Sequence, residues 1–431
     1  MTSILQLAPE ELWVIATCML CGIACAIPGV FLMLSRSSLL ADGIAHATLA
    51  GIGAAFLVFK SRNPMLLTTG ALCAGLLTVS LILVIQKTRV LKSDTALGIV
   101  FTTLFALGVI FISTVANDVD LDPGCVLYGL AEFIPFDSLD IFSVAIPKAF
   151  VSLATVLIIS TAGYTLFWKE LAITTFDPIG AKIQGIPATL VRAVFLFSVT
   201  VTVVVSFEVV GSILVVALLV APAVAASMFR QTLIGITLLS GIIAACAAPI
   251  GYLSALRTNT PVASMICIAL GLFCALSVLL SPSRGLVFRV IRRELLRLRI
   301  SEDDILGILF RWHEASSKMA TIPIKPTFIR SALQSKLRTS LALRLLRWRG
   351  SVLVATDASL RLSEQGFVEA KALIRSHRLW EAYLAKHLGL PADHLHEPSE
   401  RTEHYIGRAL ARDIAEEVAS DTDPHGRDIP S

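Results

Sequence analysis

The chain has 431 residues, of which 55% are hydrophobic and 16% charged, with a formal net charge of +4. Soluble domains carry roughly 25% charged residues, so a single water-soluble globule is excluded. The near-neutral total conceals three blocks: residues 1–283 hold 12 basic and 13 acidic side chains, residues 284–350 hold 15 and 5, and residues 351–431 hold 9 and 14.

A bilayer span needs about 20 mostly apolar residues. Such stretches fall at about 12–34, 39–59, 65–86, 97–115, 141–167, 189–207, 209–229, 233–256 and 261–281. The first is read as a span and not a cleavable signal, because Glu10 and Glu11 precede it instead of a basic region. Gly211 and Pro222 mark 189–229 as a broken or re-entrant pair. The chain is therefore read as an all-α polytopic membrane protein with eight or nine spans, followed by a C-terminal domain outside the membrane.

Basic loops face the cytosol. Lys87, Arg89 and Lys92 follow the third stretch, and an arginine-rich segment follows the ninth. The loop between stretches four and five is acidic, with Asp118, Asp120, Asp122, Glu132, Asp137 and Asp140. Nine spans then put the N-terminus outside and the C-terminal domain inside; one re-entrant stretch moves the N-terminus to the cytosol. Lys60 and Arg62 violate the rule.

Charges within a membrane are costly and mark function. Asp42 and His46, in SLLADGIAHATLAGIGAAF, are four apart and share one helix face. A carboxylate and an imidazole converging there suit transient binding of Mn²⁺, Zn²⁺ or Fe²⁺, and His46 is the only histidine before residue 310. The bland alternative is a structural hydrogen-bonded pair. Glu208 reads as a second buried acid, which on its own fits a place in the pathway and pairing with another subunit equally. Cys18, Cys21 and Cys25 sit at helical spacing among eight cysteines that all precede residue 280; they read as small apolar membrane residues.

Around Asp42 and His46, and in KSDTALGIVFTTLFALGVIF (92–111), FDPIGAKIQGIP (176–187) and VVGSILVVALLVAPAVAASM (209–228), residues 1–283 resemble the permeases of zinc/manganese/iron ABC importers. The resemblance implies that Asp42 and His46 coordinate the metal in the pathway. It also implies that the segment with Phe176, Asp177, Pro178, Gly180, Ala181 and Gly185 is the cytoplasmic loop docking on an ATPase. The chain contains no G-x-x-x-x-G-K-[ST] phosphate loop, so it is expected not to be an enzyme and to borrow hydrolysis from a partner ATPase. An extracytoplasmic metal-binding protein and a second permease subunit, a homodimer mate or a paralogue, complete the expected assembly in a bacterial inner membrane.

After Arg284 the composition changes. Residues 284–300 form a basic juxtamembrane helix with Arg289, Arg292, Arg293, Arg297 and Arg299, suited to anionic headgroups. SEDDILGILFRWHEA then opens on Ser301 as an N-cap with acids in its first turn. Residues 327–348 read as two further helices, and SVLVATDASLRLS as a two-stranded ribbon turning near Asp357 and Ala358. Three helices and a hairpin give a winged helix-turn-helix order over 301–370, with 371–431 as a metal-binding and dimerisation domain. His377 and Glu381 are i, i+4 on one helix, and His396, Glu400, Glu403 and His404 follow a turn at LGLPADH. Glu400, Glu403 and His404 share a helical face, and a merely solvated helix does not gather three histidines. This part has no cysteine, so neither a disulfide framework nor a Cys-based zinc site applies.

SHRLWEAYLAKHLGL (376–390), HEPSERTEH (396–404) and TDPHGRDIP (422–430) make the tail, from about residue 301, resemble the diphtheria-toxin-repressor family of metal-dependent winged-helix regulators. The resemblance implies one ligand group of His377, Glu381 and His396, and another of Glu400, Glu403 and His404, with Asp303 contributing from the first helix. Glu400 stands where iron-responsive members carry a thiolate, and oxygen in place of sulfur favours Mn²⁺ over Zn²⁺, with Fe²⁺ and Zn²⁺ as alternatives. Leu306 and Gly307 depart from the manganese-type pattern, which has another acid there. Three readings follow: a transporter whose tail senses metal, a bifunctional chain whose tail is a repressor binding DNA while tethered or after release, and a metal-dependent membrane enzyme. The last lacks both H-E-x-x-H and paired intramembrane aspartates.

Overall fold

The computed structural model describes residues 8–61, 63–88, 90–91, 93–115, 131–141, 144–316, 324–333, 335–356, 359–388, 399, 402, 406 and 408–430. They divide into two compact units, Met1–Phe288 and Arg289–Ser431. The protein is an all-α polytopic membrane protein with an added C-terminal domain.

In the first unit the chain runs through α1 (Pro9–Leu34), α2 (Leu39–Phe59), α3 (Pro64–Lys87) and α4 (Ser93–Val115), a hairpin of β1 (Ser138–Ile141) and β2 (Val144–Pro147), then α5 (Lys148–Leu166). Two short helices, α6 (Trp168–Phe176) and α7 (Pro178–Ile183), lead into α8 (Ala188–Phe229), α9 (Leu233–Thr258) and α10 (Val262–Leu280). Eight helices among the described residues, all but α6 and α7, are long and apolar enough to cross a membrane. α1 and α8 bury two-thirds of their most apolar stretches and form the centre, whereas α5 buries only 17% of its own and lies outermost. α1 packs on α8 and α9, while α2 packs on α3, α4 and α8. Cys18, Cys21 and Cys25 lie buried in this core, with Cys25 Sγ 3.4 Å from Ser206 Oγ.

Two of the expected nine stretches, 189–207 and 209–229, are one helical element of 42 residues. At about 1.5 Å per residue it would reach ~63 Å, about twice the hydrocarbon thickness of a bilayer. Gly211, at φ 79° and ψ 168°, breaks it into two shorter segments, a backbone conformation that a Cβ strongly disfavours. Pro222 is accommodated inside the second segment without such a break. The fifth span also starts later than its apolar pattern indicates. Residues 138–147 pair as a hairpin, Pro147 stands at the helix boundary, and Asp137 and Lys148 form an ion pair of 2.5 Å. Alternating apolar residues fit a strand as well as a span's first turn, and the proline decides.

The second unit contains α11 (Leu286–Ser316, which begins at the end of the first unit), α12 (Pro326–Ala332), α13 (Lys336–Trp348), an antiparallel hairpin of β3 (Val352–Val354) and β4 (Leu360–Leu362), α14 (Glu364–Leu388) and α15 (Arg408–Val418). The helix–helix–helix–hairpin order is that of a winged helix. Ser301 does not cap a new helix: it lies within α11, and its hydroxyl donates to the Arg297 carbonyl at 3.1 Å. No glycine or proline separates Leu286 from Asp304, so strong helix formers carry the basic segment straight into the first winged-helix element. The expected boundaries at 300/301 and 370/371 therefore both fall inside helices, α11 and α14. α14 bridges two cores: Ala370 and Ile374 pack with Ile305, Leu309 and Leu346, while Leu379 and Ala382 pack with Ile414 and Val418.

Candidate metal centres

Residues of small volume let α2 approach its neighbours closely, as membrane helices do without a hydrophobic driving force. A Cβ placed on Gly51 would lie 2.1 Å from the Gly70 carbonyl oxygen of α3. On that tightly held helix, His46 Nε2 lies 3.3 Å from Asp42 Oδ1, with side chains 26% and 39% exposed. The His46 ring stands against Phe101 and Phe105 of α4, at centroid distances of 5.5 and 5.4 Å. Those rings limit its rotation, while Asp42 faces a groove between α2, α8 and α10.

The groove encloses about 960 Å³ and is lined by Ser38, Val216, Val220, Gly271 and Cys274 with Asp42 as its single charged residue. An accessible carboxylate on an apolar wall, backed by an imidazole, supplies oxygen and nitrogen donors suited to a borderline divalent ion. Among the described residues no group of three or more His, Cys, Asp or Glu side chains is placed to hold a metal ion; at this place the chain offers two candidate donors. Glu208 lies just before the Gly211 break, exposed on the surface of this chain, and accepts a hydrogen bond from Thr68 Oγ1 at 3.1 Å.

Asp177, at the junction of α6 and α7, accepts from the Gly180 backbone N–H at 2.8 Å and so caps α7, whose first residue is Pro178. Ala181 is fully buried, and Gly185 turns the chain at φ 80°. Phe176, Ile179 and Ile183 are left 63%, 73% and 82% exposed, a row of apolar side chains on a short rigid step.

In the second unit, His377 Nε2 lies 3.1 Å from Glu381 Oε1, and both side chains are almost wholly buried, at 4% and 2% exposure. A nitrogen and a carboxylate oxygen held together out of water fit a borderline divalent cation. Their expected companions His396, Glu400, Glu403 and His404 lie outside the described residues. Asp303 is half-buried on α11 beside the buried Glu302, which pairs with Arg349 at 2.9 Å. Burial raises the Glu302 carboxyl above the ordinary carboxylate range, against the lowering effect of Arg349. Leu306 packs in the core and Gly307 faces Leu373 and Ile374, which accounts for the missing acid at that turn.

The sequence reading missed how the last residues return to this site. Buried Arg378 forms a bidentate pair with Glu314, at 3.0 and 2.6 Å, donates to the Asp428 carbonyl and lies 3.8 Å from Asp423. Asp423 Oδ1 accepts from the backbone N–H groups of His425 and Arg427, and Gly426 closes the turn at φ 75°. His425 Nε2 thereby comes 4.0 Å from Glu381. The string DPHG carries the signal of such a turn.

Residues 11–281 match the ABC 3 transport family, and residues 363–431 match the metal binding and dimerisation domain of iron dependent repressors. The manganese transport system membrane protein MntD of Bacillus subtilis is 38% identical over 283 residues, which are 65% of this chain and 96% of that protein. The zinc transport system membrane protein TroD of Treponema pallidum is 31% identical over 349 residues, 80% of this chain and 95% of its own length. PsaBC from Streptococcus pneumoniae, solved in complex with Fab, superposes with a TM-score of 0.55 at 27% identity, over 65% of this chain and 95% of that one. Matched over well more than half its length, and covering nearly all of these permeases, the chain belongs to the ABC 3 transport family.

Proposed function

We propose that the chain is the permease subunit of an ABC importer for a divalent transition metal, Mn²⁺ by preference over Zn²⁺ or Fe²⁺, and that its cytosolic C-terminal unit senses the same ion. The observation that carries this reading is the Asp42–His46 pair, 3.3 Å apart, whose carboxylate lines an apolar groove of about 960 Å³. Oxygen and nitrogen donors without a thiolate favour the harder end of the borderline series, and a relative named for manganese transport supports that choice. Two ligands hold a hydrated divalent ion only loosely, and a transported ion must leave as well as enter. A second permease subunit would bring further ligands; the membrane-exposed Glu208 also calls for a partner, since an acid facing lipid is costly.

Energy comes from a separate ATPase. The exposed step of Phe176, Ile179 and Ile183, pinned by the Asp177 cap, is the surface for that subunit, and an extracytoplasmic metal-binding protein delivers the ion. In the C-terminal unit, His377 and Glu381 would hold a resident Mn²⁺ together with His396, with Glu400, Glu403, His404 and Asp303 as the second group.

The test is reconstitution of the full chain in proteoliposomes with its ATPase and its binding protein. ATP-driven uptake of radiolabelled Mn²⁺ is expected with all three and none with the chain alone. Metal-dependent ATP hydrolysis by the isolated chain would contradict the reading. The winged-helix order of α11 to α13 and the β3–β4 hairpin favours a second reading of the tail, a tethered metal-dependent repressor.

A further inference from the structure

α13 occupies the place of the recognition helix, the element that helix-turn-helix proteins lay in the major groove. One of its faces is spoken for: Thr339, Ala342, Leu343 and Leu346 are buried, and the three apolar or alanine side chains join the core of the unit. The other face carries Leu337, Leu341, Arg344 and Trp348, at steps of four, three and four residues that align them along the helix. Leu337 is 76% exposed, Leu341 43% and Trp348 85%. Arg344 and Arg347 flank them in solvent. The β3–β4 hairpin that packs beside α13 continues the pattern, with Leu353 and Val354 exposed.

Base edges in the major groove are read by hydrogen-bonding side chains, and among apolar groups mainly by small contacts to a thymine methyl. Arg344 is the one base-reading side chain in this row, and the two leucines and the tryptophan around it do not supply that code. They do supply the signature of an interfacial helix: an apolar face with an indole ring that sits at headgroup depth, edged by arginines that meet anionic lipid. Chain connectivity supplies the surface, since α11 begins at Leu286, six residues after the last spanning helix ends at Leu280. A tethered domain meets a bilayer at high effective concentration, so a modest patch suffices. The first turns of α11 repeat the composition, with Val290 and Leu295 exposed and Arg292 and Arg293 among them.

We propose that the Leu337–Leu341–Trp348 face of α13, with Arg344 and Arg347, docks this unit on the anionic cytosolic leaflet and not on DNA. The inference rests on the cytosolic placement given above, and its test reads no transport, so failure of one is separable from failure of the other.

The experiment uses the full-length chain in lipid nanodiscs, either of phosphatidylcholine alone or with a third of phosphatidylglycerol, each containing brominated acyl chains. Trp348 is isolated as the fluorescence difference between the wild type and Trp348→Phe, a change at an exposed site that leaves the core intact. The Trp348 component is expected to be quenched by brominated lipid in the anionic discs. That quenching should be lost in the Arg344→Glu/Arg347→Glu variant, and should weaken in roughly 1 M salt, where the Debye length is ~3 Å. A Trp348 component open to iodide in both discs and unquenched by lipid would overturn the proposal. So would protection of Trp348 by duplex DNA without lipid quenching, which would return the face to nucleic acid.

Discussion

Two histidine–carboxylate pairs stand in this chain at the same i, i+4 spacing and nearly the same distance, 3.3 Å for Asp42–His46 and 3.1 Å for His377–Glu381. Their surroundings are opposite. The first pair is 39% and 26% exposed at the edge of a groove, and the second is 2–4% exposed beneath a C-terminal segment tied down through Arg378. On the proposed function, the same ligand chemistry would serve two ends: the accessible pair would let an ion pass and the sealed pair would retain one, so that access and not donor type would separate cargo from signal.

The largest expected effect falls on the open pair. Removing a group that merely orients a ligand costs about 10–100-fold in metal affinity, so Asp42→Ala or His46→Ala, which deletes a ligand itself, should reduce ATP-driven Mn²⁺ uptake by about 100-fold or more with assembly intact. Uptake at the parental rate by either variant would remove the pair from the pathway. The sealed pair is sensitive to what closes it. Arg378→Ala removes the cation shared by the part-exposed Glu314 and the buried Asp423, together with the hydrogen bond to the Asp428 carbonyl; hydrogen exchange should then rise across residues 422–430. Unchanged exchange there would show that the segment is held by other contacts.

Smaller effects test the scaffold of the groove and its coupling step. Gly211→Ala forces a Cβ into a strained backbone at a cost of about 1–3 kcal/mol, measured as earlier thermal inactivation of the assembled transporter. Asp177→Ala removes a helix cap worth about 1 kcal/mol, and should lower transport-coupled ATP hydrolysis more than it lowers metal binding. Imidazole and carboxylate bind metal only when deprotonated, so metal binding at either pair should weaken on acidification. The open site should respond at once and the sealed site only as its cover opens.

The membrane half was legible because hydropathy and charge are local properties: the spans and the shared helix face of Asp42 with His46 follow from short strings, whereas the Asp177 cap of α7 emerged only from the structure. The break within 189–229 was legible too, because Gly211 stands inside an apolar run too long for one span, and the 42-residue element divides there into two segments. The start of α5 failed because alternation in residues 138–147 fits a strand equally. Ser301 misled since serine caps helices by preference but is tolerated within them when its hydroxyl bonds back to the preceding turn. Arg378 and Asp423 were beyond reach for another reason. Their contacts join residues up to 64 positions apart, and no local pattern announces a long-range ion pair.

The difference in access is open to one direct measurement. Full-length chain assembled with its partners and loaded with radiolabelled Mn²⁺ would be chased with unlabelled ion while retained label is followed. Two kinetic classes are expected: a fast class missing in His46→Ala and a slow class missing in His377→Ala, each variant keeping the other. A single class, or loss of the slow class in His46→Ala, would contradict the assignment of cargo to the open pair and signal to the sealed one.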